Sequence, residues 1–156
     1  MKRLAILGST GSIGTATLDV VGSFPERFAV VALAAGRNLT LLREQVQRFR
    51  PSLVAVAGET EAATLRAEFP ALEVMAGEDG RVAAATHPDA TTVVGAFVGA
   101  LGLLPTYRAI TLGREVLLAN KETLVVAGDL VMEAARSHGA AIVPIDSEHN
   151  ALHQAL

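Results

Sequence analysis

Three short segments combine residue types and spacing that can do chemistry. Residues 8–14 read GSTGSIG, residues 120–122 read Asn-Lys-Glu, and residues 144–150 read PIDSEHN. The first pattern suits a phosphate group, the second an anion or a hydroxyl group, and the third a divalent cation. Each lies at the end of an apolar run that predicts a β-strand. Open α/β sheets bind ligands at the carboxyl ends of their strands, so all three stand where a site is expected.

The glycine-rich segment at residues 8–14 indicates a dinucleotide site. It follows a strand predicted over Leu4–Leu7 and leads into a helix predicted over Ile13–Val21, with Ser12 as its N-cap. Glycine permits a tight turn and brings backbone N–H groups close to a pyrophosphate at the positive end of the helix. The spacing G-x-x-G-x-x-G is a variant of the usual pattern, and a turn with close helix–strand packing is the alternative. The position between strand and helix favours nucleotide binding.

The end of the second predicted strand indicates which nucleotide binds. An NAD site usually carries Asp or Glu here to hold the ribose 2′-hydroxyl group, whereas a 2′-phosphate calls for Arg. The strand predicted over Phe28–Ala35 is followed by Gly36, Arg37 and Asn38, with no acid. Arg37 would pair with a phosphate that a carboxylate would repel, so the sequence favours NADP. A solvated loop arginine is the alternative.

The segment at residues 120–122 has a structural and a functional interpretation of similar weight. Asn120 could cap a helix, Glu122 could be a favourable acid in its first turn, and Lys121 could be a solvated cation. Alternatively, Lys121 could meet a substrate phosphate or hydroxyl group beside the nicotinamide ring. The sequence leaves both interpretations open.

The acidic segment at residues 144–150 could bind a metal ion. In an extended segment Asp146 and Glu148 point the same way, so two carboxylates can converge on Mg²⁺ or Mn²⁺. The same residues also fit an ordinary helix start, with Asp146 or Ser147 as the N-cap. From spacing alone, the helix start is favoured.

The elements that must position these segments alternate along the chain. The 156 residues, 51% of them hydrophobic, suit one domain with its own core. About seven strands and six helices in alternation predict an α/β, Rossmann-like, doubly wound and mostly parallel sheet with helices on both faces. A net charge of −3 and 4% aromatic residues argue against a nucleic-acid partner. The apolar run at residues 93–104 is too short to cross a membrane, and we expect a cytoplasmic protein.

With these motifs in hand, the whole chain resembles the N-terminal part of the 1-deoxy-D-xylulose 5-phosphate reductoisomerases. The resemblance is carried by GSTGSIG at 8–14, TLDVV at 17–21, Gly36-Arg37-Asn38, LLANKE at 117–122 and PIDSEHN at 144–150. It implies an NADPH-dependent homodimer that uses Mg²⁺, Mn²⁺ or Co²⁺. It also implies conversion of a sugar phosphate, 1-deoxy-D-xylulose 5-phosphate, to 2-C-methyl-D-erythritol 4-phosphate in non-mevalonate isoprenoid biosynthesis.

The resemblance also assigns roles to residues of this sequence. Gly8, Thr10, Gly11, Ser12 and Ile13 would line the cofactor pyrophosphate. The 2′-phosphate would lie among Gly36, Arg37 and Asn38, and the nicotinamide half beside Asn120 and Glu122. Lys121 would be the catalytic residue, and the substrate would contact Lys121, Ser147 and Glu148. The metal ligands would be Asp146 and Glu148, and this favours the metal site over the helix start.

The resemblance bears on domain organisation as well. Residues 1–156 are expected to be an NADPH-binding Rossmann domain that ends just within the start of the metal- and substrate-binding catalytic region. A third carboxylate ligand and the phosphate clamp of the family would lie beyond it, so we expect the isolated chain to be inactive. The alternatives are a non-catalytic NADP(H)-binding module and another oxidoreductase with a G-x-x-G-x-x-G loop, such as the homoserine dehydrogenase type.

Overall fold

Strands and helices alternate along the chain in the computed structural model, which describes residues 1–119 and 121–145 and omits the side chains of residues 121–124. The strands are β1 (Lys2–Leu7), β2 (Phe28–Ala34), β3 (Leu53–Val56), β4 (Glu73–Ala76), β5 (Thr92–Gly95), β6 (Glu115–Leu118) and β7 (Ile142–Pro144). The helices are α1 (Ser12–Ser23), α2 (Leu39–Phe49), α3 (Glu59–Glu68), α4 (Gly77–Ala85), α5 (Leu103–Thr111) and α6 (Lys121–His138). A 3-10 turn over Gly99–Gly102 precedes α5.

The strands form one sheet in the order β4-β3-β2-β1-β5-β6-β7. Every neighbouring pair is parallel, so the mostly parallel sheet predicted from the sequence is parallel throughout the described chain. The chain builds outward from β1 to β4, then returns through α4 to place β5 on the other side of β1. The strand order therefore reverses between β1 and β5, the point at which doubly wound sheets open a ligand crevice.

Helices cover both faces of the sheet, as the near-continuous apolar strands predict. One buried cluster joins the sheet to α1, α2 and α3 through residues that include Leu18, Leu42 and Leu65. The other joins it to α4, α5 and α6 and is rich in alanine on both its helices and its strands. The predicted α/β architecture, Rossmann-like and doubly wound, is confirmed.

Two local features of the helices differ from the prediction. Helix α1 begins at Ser12 with Gly11 as its N-cap, so the prediction that Ser12 caps this helix is wrong. Ser12 is the first helical residue, and no side chain among the described residues caps the helix. Helix α6 is kinked at Ala127, whose φ of −138° and ψ of 28° are not helical. Among the described residues, no helix is both long and apolar enough to span a membrane.

Candidate functional site

The loop after β1 needs two of its glycines for its own geometry. Gly8 has a φ of +88°, and a Cβ there would lie 2.6 Å from the carbonyl oxygen of Ala96. A Cβ at Gly14 would collide with the Gly8 carbonyl oxygen and lie 2.6 Å from the Cα of Ser9. Both glycines thus let the loop turn tightly and let α1 pack against it. This structural role coexists with ligand binding, since it is what brings the amino end of α1 to the crevice.

The amino end of α1 is available to an anion. Gly11, Ser12 and Ile13 are exposed. Within the part of the chain that the structure describes, no side chain caps the helix, and its first turn contains no acidic residue. The backbone N–H groups of a first helical turn have no partner within the helix, and the helix dipole adds partial positive charge there. This end of α1 can therefore hold a phosphate group, which is the chemistry that the glycine loop predicts.

The end of β2 combines open space with a solvated cation. A Cβ at Gly36 would have no atom within 4 Å, so the described chain leaves room above this backbone. The Arg37 side chain is 87% exposed, and its Nε lies 3.9 Å from Oε1 of Glu61. Asn38 is the N-cap of α2, because its Oδ1 accepts a hydrogen bond of 3.2 Å from the Leu41 N–H. A guanidinium beside an open glycine is suited to a phosphate.

Glu61 is a functional candidate that the sequence analysis missed. The end of β2 carries no acid, as predicted, but α3 brings this carboxylate to it from the neighbouring strand connection. Its side chain is 21% exposed. The predicted order of elements could have indicated Glu61. Parallel neighbours such as β2 and β3 place the loops that follow them side by side.

Backbone and side-chain hydrogen bonds join the glycine loop to the end of β2. The N–H groups of Gly8 and Ser9 both donate to the Ala34 carbonyl oxygen, at 2.7 and 3.0 Å. Nε2 of Gln45, on α2, donates to the Ser9 carbonyl oxygen at 2.8 Å. The sequence analysis also missed Gln45, although its spacing from the apolar residues Leu42 and Val46 predicts a polar side chain on the buried face of α2.

The ends of β6 and β7 lie at the same edge of the sheet. The Ala119 N–H donates to the Gly95 carbonyl oxygen at 2.9 Å, and the Ile145 N–H donates to the Leu118 carbonyl oxygen at 3.0 Å. These contacts bring the chain positions just before residues 120 and 146 to the edge that holds the glycine loop.

The other predicted site residues fall where the structure gives no side-chain description. Asn120, Asp146, Ser147 and Glu148 lie outside the described residues. The backbone of Lys121 and Glu122 begins α6, and their side chains are likewise outside the description. Their predicted contacts with cofactor, substrate and metal stay predictions. Within residues 1–119 and 121–145, no group of three or more His, Cys, Asp or Glu side chains could hold a metal ion.

The sequence of this chain is similar to that of a known enzyme family. The family model described as 1-deoxy-D-xylulose 5-phosphate reductoisomerase matches residues 4–128 of this chain. The chain belongs to the 1-deoxy-D-xylulose 5-phosphate reductoisomerase family. The reductoisomerase of Anaeromyxobacter dehalogenans is 57% identical over 157 residues, which cover 100% of this chain and 40% of the relative. That of Bacillus cereus is 48% identical and is covered over 41% of its length.

Solved reductoisomerase structures share the architecture closely. One, a complex with NADPH, fosmidomycin and magnesium, matches with a TM-score of 0.96 and 40% identity, over 100% of this chain and 39% of that one. The Zymomonas mobilis reductoisomerase in complex with NADPH matches with a TM-score of 0.94 and 38% identity, over 99% of this chain and 41% of that one. This chain therefore spans about 40% of the length of its relatives.

A more distant structure shares the fold alone. A putative homoserine dehydrogenase from Archaeoglobus fulgidus is 21% identical, with a TM-score of 0.52. The family match decides between the two kinds of enzyme that the glycine loop left open. It favours the reductoisomerases over the homoserine dehydrogenase type.

Proposed function

We propose that this chain is the NADPH-binding part of a 1-deoxy-D-xylulose 5-phosphate reductoisomerase. The parent enzyme would convert this sugar phosphate to 2-C-methyl-D-erythritol 4-phosphate with a divalent cation, Mg²⁺, Mn²⁺ or Co²⁺. The observation that carries the proposal is the presence of two anion-binding features after the neighbouring strands β1 and β2. These are the uncapped amino end of α1 and the exposed guanidinium of Arg37 beside the open backbone of Gly36.

The two features match the charges of the cofactor. The pyrophosphate would lie along Thr10 to Ile13, where backbone N–H groups and the helix dipole stabilise negative charge. The 2′-phosphate would be held by Arg37, with Asn38 keeping the start of α2 in place beside it. NADPH, when bound, supplies the hydride, whereas the protein holds and orients it. The membership of the chain in a family with NADPH complexes supports this assignment.

The substrate and metal parts of the proposal rest on the family motifs. Lys121, Ser147 and Glu148 would contact the sugar phosphate, and Asp146 and Glu148 would be metal ligands. Carboxylate oxygens are the donors that Mg²⁺ and Mn²⁺ prefer, and such an ion would supply polarisation of the substrate carbonyl. Lys121 would favour negative charge on the substrate. A homodimer and a cytoplasmic location stay predictions for the parent enzyme.

Cofactor titration tests this proposal. We expect the chain to bind NADPH more tightly than NADH, as measured by the change in nicotinamide fluorescence on binding. Arg37→Asp should weaken NADPH binding roughly tenfold or more, because it removes a charge-assisted contact to the 2′-phosphate and adds repulsion. NADH binding should change little. Arg3→Asp is the matched control, since it makes the same change of charge at an exposed arginine that lies on β1 toward the opposite edge.

Two titration results would contradict the proposed cofactor site. If Arg37→Asp kept the preference of the unaltered chain for NADPH, the assignment of the 2′-phosphate to Arg37 would be wrong. If the unaltered chain bound neither nucleotide, the cofactor-binding proposal itself would fail.

A further inference from the structure

Gln45 is a polar residue buried among apolar residues on α2. It is 5% exposed on the face of α2 that buries Leu42 and Val46 against the sheet. Burying an amide costs free energy unless it is hydrogen-bonded, so its burial at this position calls for a specific partner. That partner is the glycine loop.

The contact fixes one peptide group of the loop. Nε2 of Gln45 donates to the Ser9 carbonyl oxygen at 2.8 Å, across 36 positions of sequence. Ser9 is itself fully buried, and its N–H donates to Ala34. Because a peptide group is planar and trans, its C=O and the following N–H point in opposite directions. Turning the Ser9 carbonyl toward α2 therefore turns the Thr10 N–H away from α2.

The same helix also carries the predicted 2′-phosphate site. Arg37 and Asn38 stand directly before α2, and Asn38 caps it. Gln45 lies about two turns further along, so the start and the middle of this short helix lie against the two proposed parts of the nucleotide site. Through Gln45, the backbone that would meet the pyrophosphate is tied to the element that would hold the 2′-phosphate.

We propose that Gln45 is a positioning residue for the cofactor. Its hydrogen bond to Ser9 orients the Thr10 N–H toward the pyrophosphate and sets the distance between the two phosphate sites. The inference rests on the proposed function, since it names how that site is held in shape. Gln45 does not itself contact the nucleotide in this account.

Gln45→Met is a suitable test variant. The methionine side chain has similar length and volume, is a good helix former and cannot donate to Ser9. Oε1 of Gln45 is buried without a hydrogen-bond partner among the described residues, so the substitution removes the single bond from Nε2. Gln45→Asn is a second variant, which keeps the amide and shortens its reach by one methylene. Gln47→Met is the control, because Gln47 is exposed on the same helix.

Titrations with NADPH and with adenosine 2′-monophosphate distinguish a positioning role of Gln45 from a general defect of α2. We expect Gln45→Met and Gln45→Asn to weaken NADPH binding roughly tenfold, because binding would then have to order the loop at a cost of about one hydrogen bond. Adenosine 2′-monophosphate lacks the pyrophosphate and should bind these variants within twofold of the unaltered chain. Gln47→Met should leave both affinities unchanged.

A measurement without nucleotide keeps this inference separate from the proposed function. Amide hydrogen exchange of residues 8–14 should be faster in the two Gln45 variants than in Gln47→Met, in ligand-free protein. If the unaltered chain bound no NADPH, the proposed function would fail, and this exchange would still decide whether Gln45 holds the loop.

Three results would overturn the positioning role. Unchanged NADPH affinity and unchanged exchange in both Gln45 variants would show that the hydrogen bond does not hold the loop. An equal loss of affinity for NADPH and for adenosine 2′-monophosphate would show a general defect of α2. Failure of both variants to fold would make Gln45 a requirement for folding instead.

Discussion

Arg37 and Glu61 form an ion pair at the place where the 2′-phosphate of the cofactor is proposed to bind. The pair is long, 3.9 Å between Nε and Oε1, and the arginine is almost fully solvated. Such pairs are weak, at about 0.2–1 kcal/mol. Glu61 is therefore too weak a partner to block a phosphate, yet its charge opposes one. In this view Glu61 moderates the affinity for NADPH.

Removal of this charge should tighten NADPH binding. We expect Glu61→Gln to lower the Kd for NADPH by about two- to fivefold, the fold-change equivalent of a weak surface pair. The Kd for NADH should stay constant, because NADH has no 2′-phosphate to repel. Parallel titrations with both nucleotides measure the ratio. Glu78→Gln, an exposed acid in the first turn of α4, is the control, and weaker NADPH binding by Glu61→Gln would contradict the expectation.

Three strands are joined by one carboxylate at the edge of the sheet away from the glycine loop. Glu115, at the start of β6, accepts hydrogen bonds from Lys2 of β1 at 2.6 Å and from Thr92 of β5 at 2.8 Å. The hydrogen bond from Lys2 contributes most to lowering the pKa of the Glu115 carboxyl group, and Thr92 adds to it. Burial raises this pKa and only partly offsets them. The contact stabilises the order β1-β5-β6.

This contact predicts a pH-dependent contribution to stability. A carboxyl group with a lowered pKa in the folded state contributes stability above its unfolded pKa of about 4.3, and the contribution is lost as pH falls through the folded value. Lys2→Met should therefore cost about 0.5–1 kcal/mol of unfolding free energy at pH 7. The cost should diminish below about pH 4. Urea denaturation at both pH values measures this, with Arg3→Met as control, and a pH-independent cost would argue against the mechanism.

Arg114 supports the carboxyl end of α4 in a different way. Its two terminal nitrogens donate to the carbonyl oxygens of Ala85 and Thr86, at 2.8 and 3.0 Å. Burial lowers the pKa of this guanidinium, which nevertheless stays charged. We expect Arg114→Met to lower the unfolding free energy by about 1–3 kcal/mol, because two helix-end carbonyl groups lose a charged donor. Thermal unfolding measures the loss, and exposed Arg108 provides a matched Arg108→Met control that should be nearly neutral.

Apolar runs and loop residues predicted most of the fold. Strands such as Leu4–Leu7 and the glycine loop are local patterns that one stretch of sequence contains. Residue type predicts Ser12 as an N-cap, whereas the structure has Gly11 at that position. Gln45 and Glu61 contact residues 36 and 24 positions away, so the sequence indicates the buried face of α2 and the neighbouring loops but not these particular contacts. The roles of Asp146 and Glu148 rest on the family motif and stay predictions.

A bound cofactor would bridge the two halves of the sheet near the point between β1 and β5. A ligand that binds only the folded state raises the unfolding free energy by about 2.7 kcal/mol at a hundred times its Kd. For a domain of this size we expect NADPH at that concentration to raise Tm by roughly 5–10 °C. NADH at equal concentration should raise it less. Equal shifts in thermal unfolding would contradict a site selective for the 2′-phosphate.

The central position of β1 has a consequence for synthesis of the chain. Residues of β1 pair on one side with β2, about 26 positions later. On the other side, Leu4 to Leu7 pair with Thr92 to Gly95 of β5, which are synthesised much later. Until β5 leaves the ribosome, the nascent protein presents the backbone of its first strand as an open edge, which invites pairing with other chains. Rapid release of β5 would close that edge, so translation pauses before residue 95 should promote aggregation of this polypeptide.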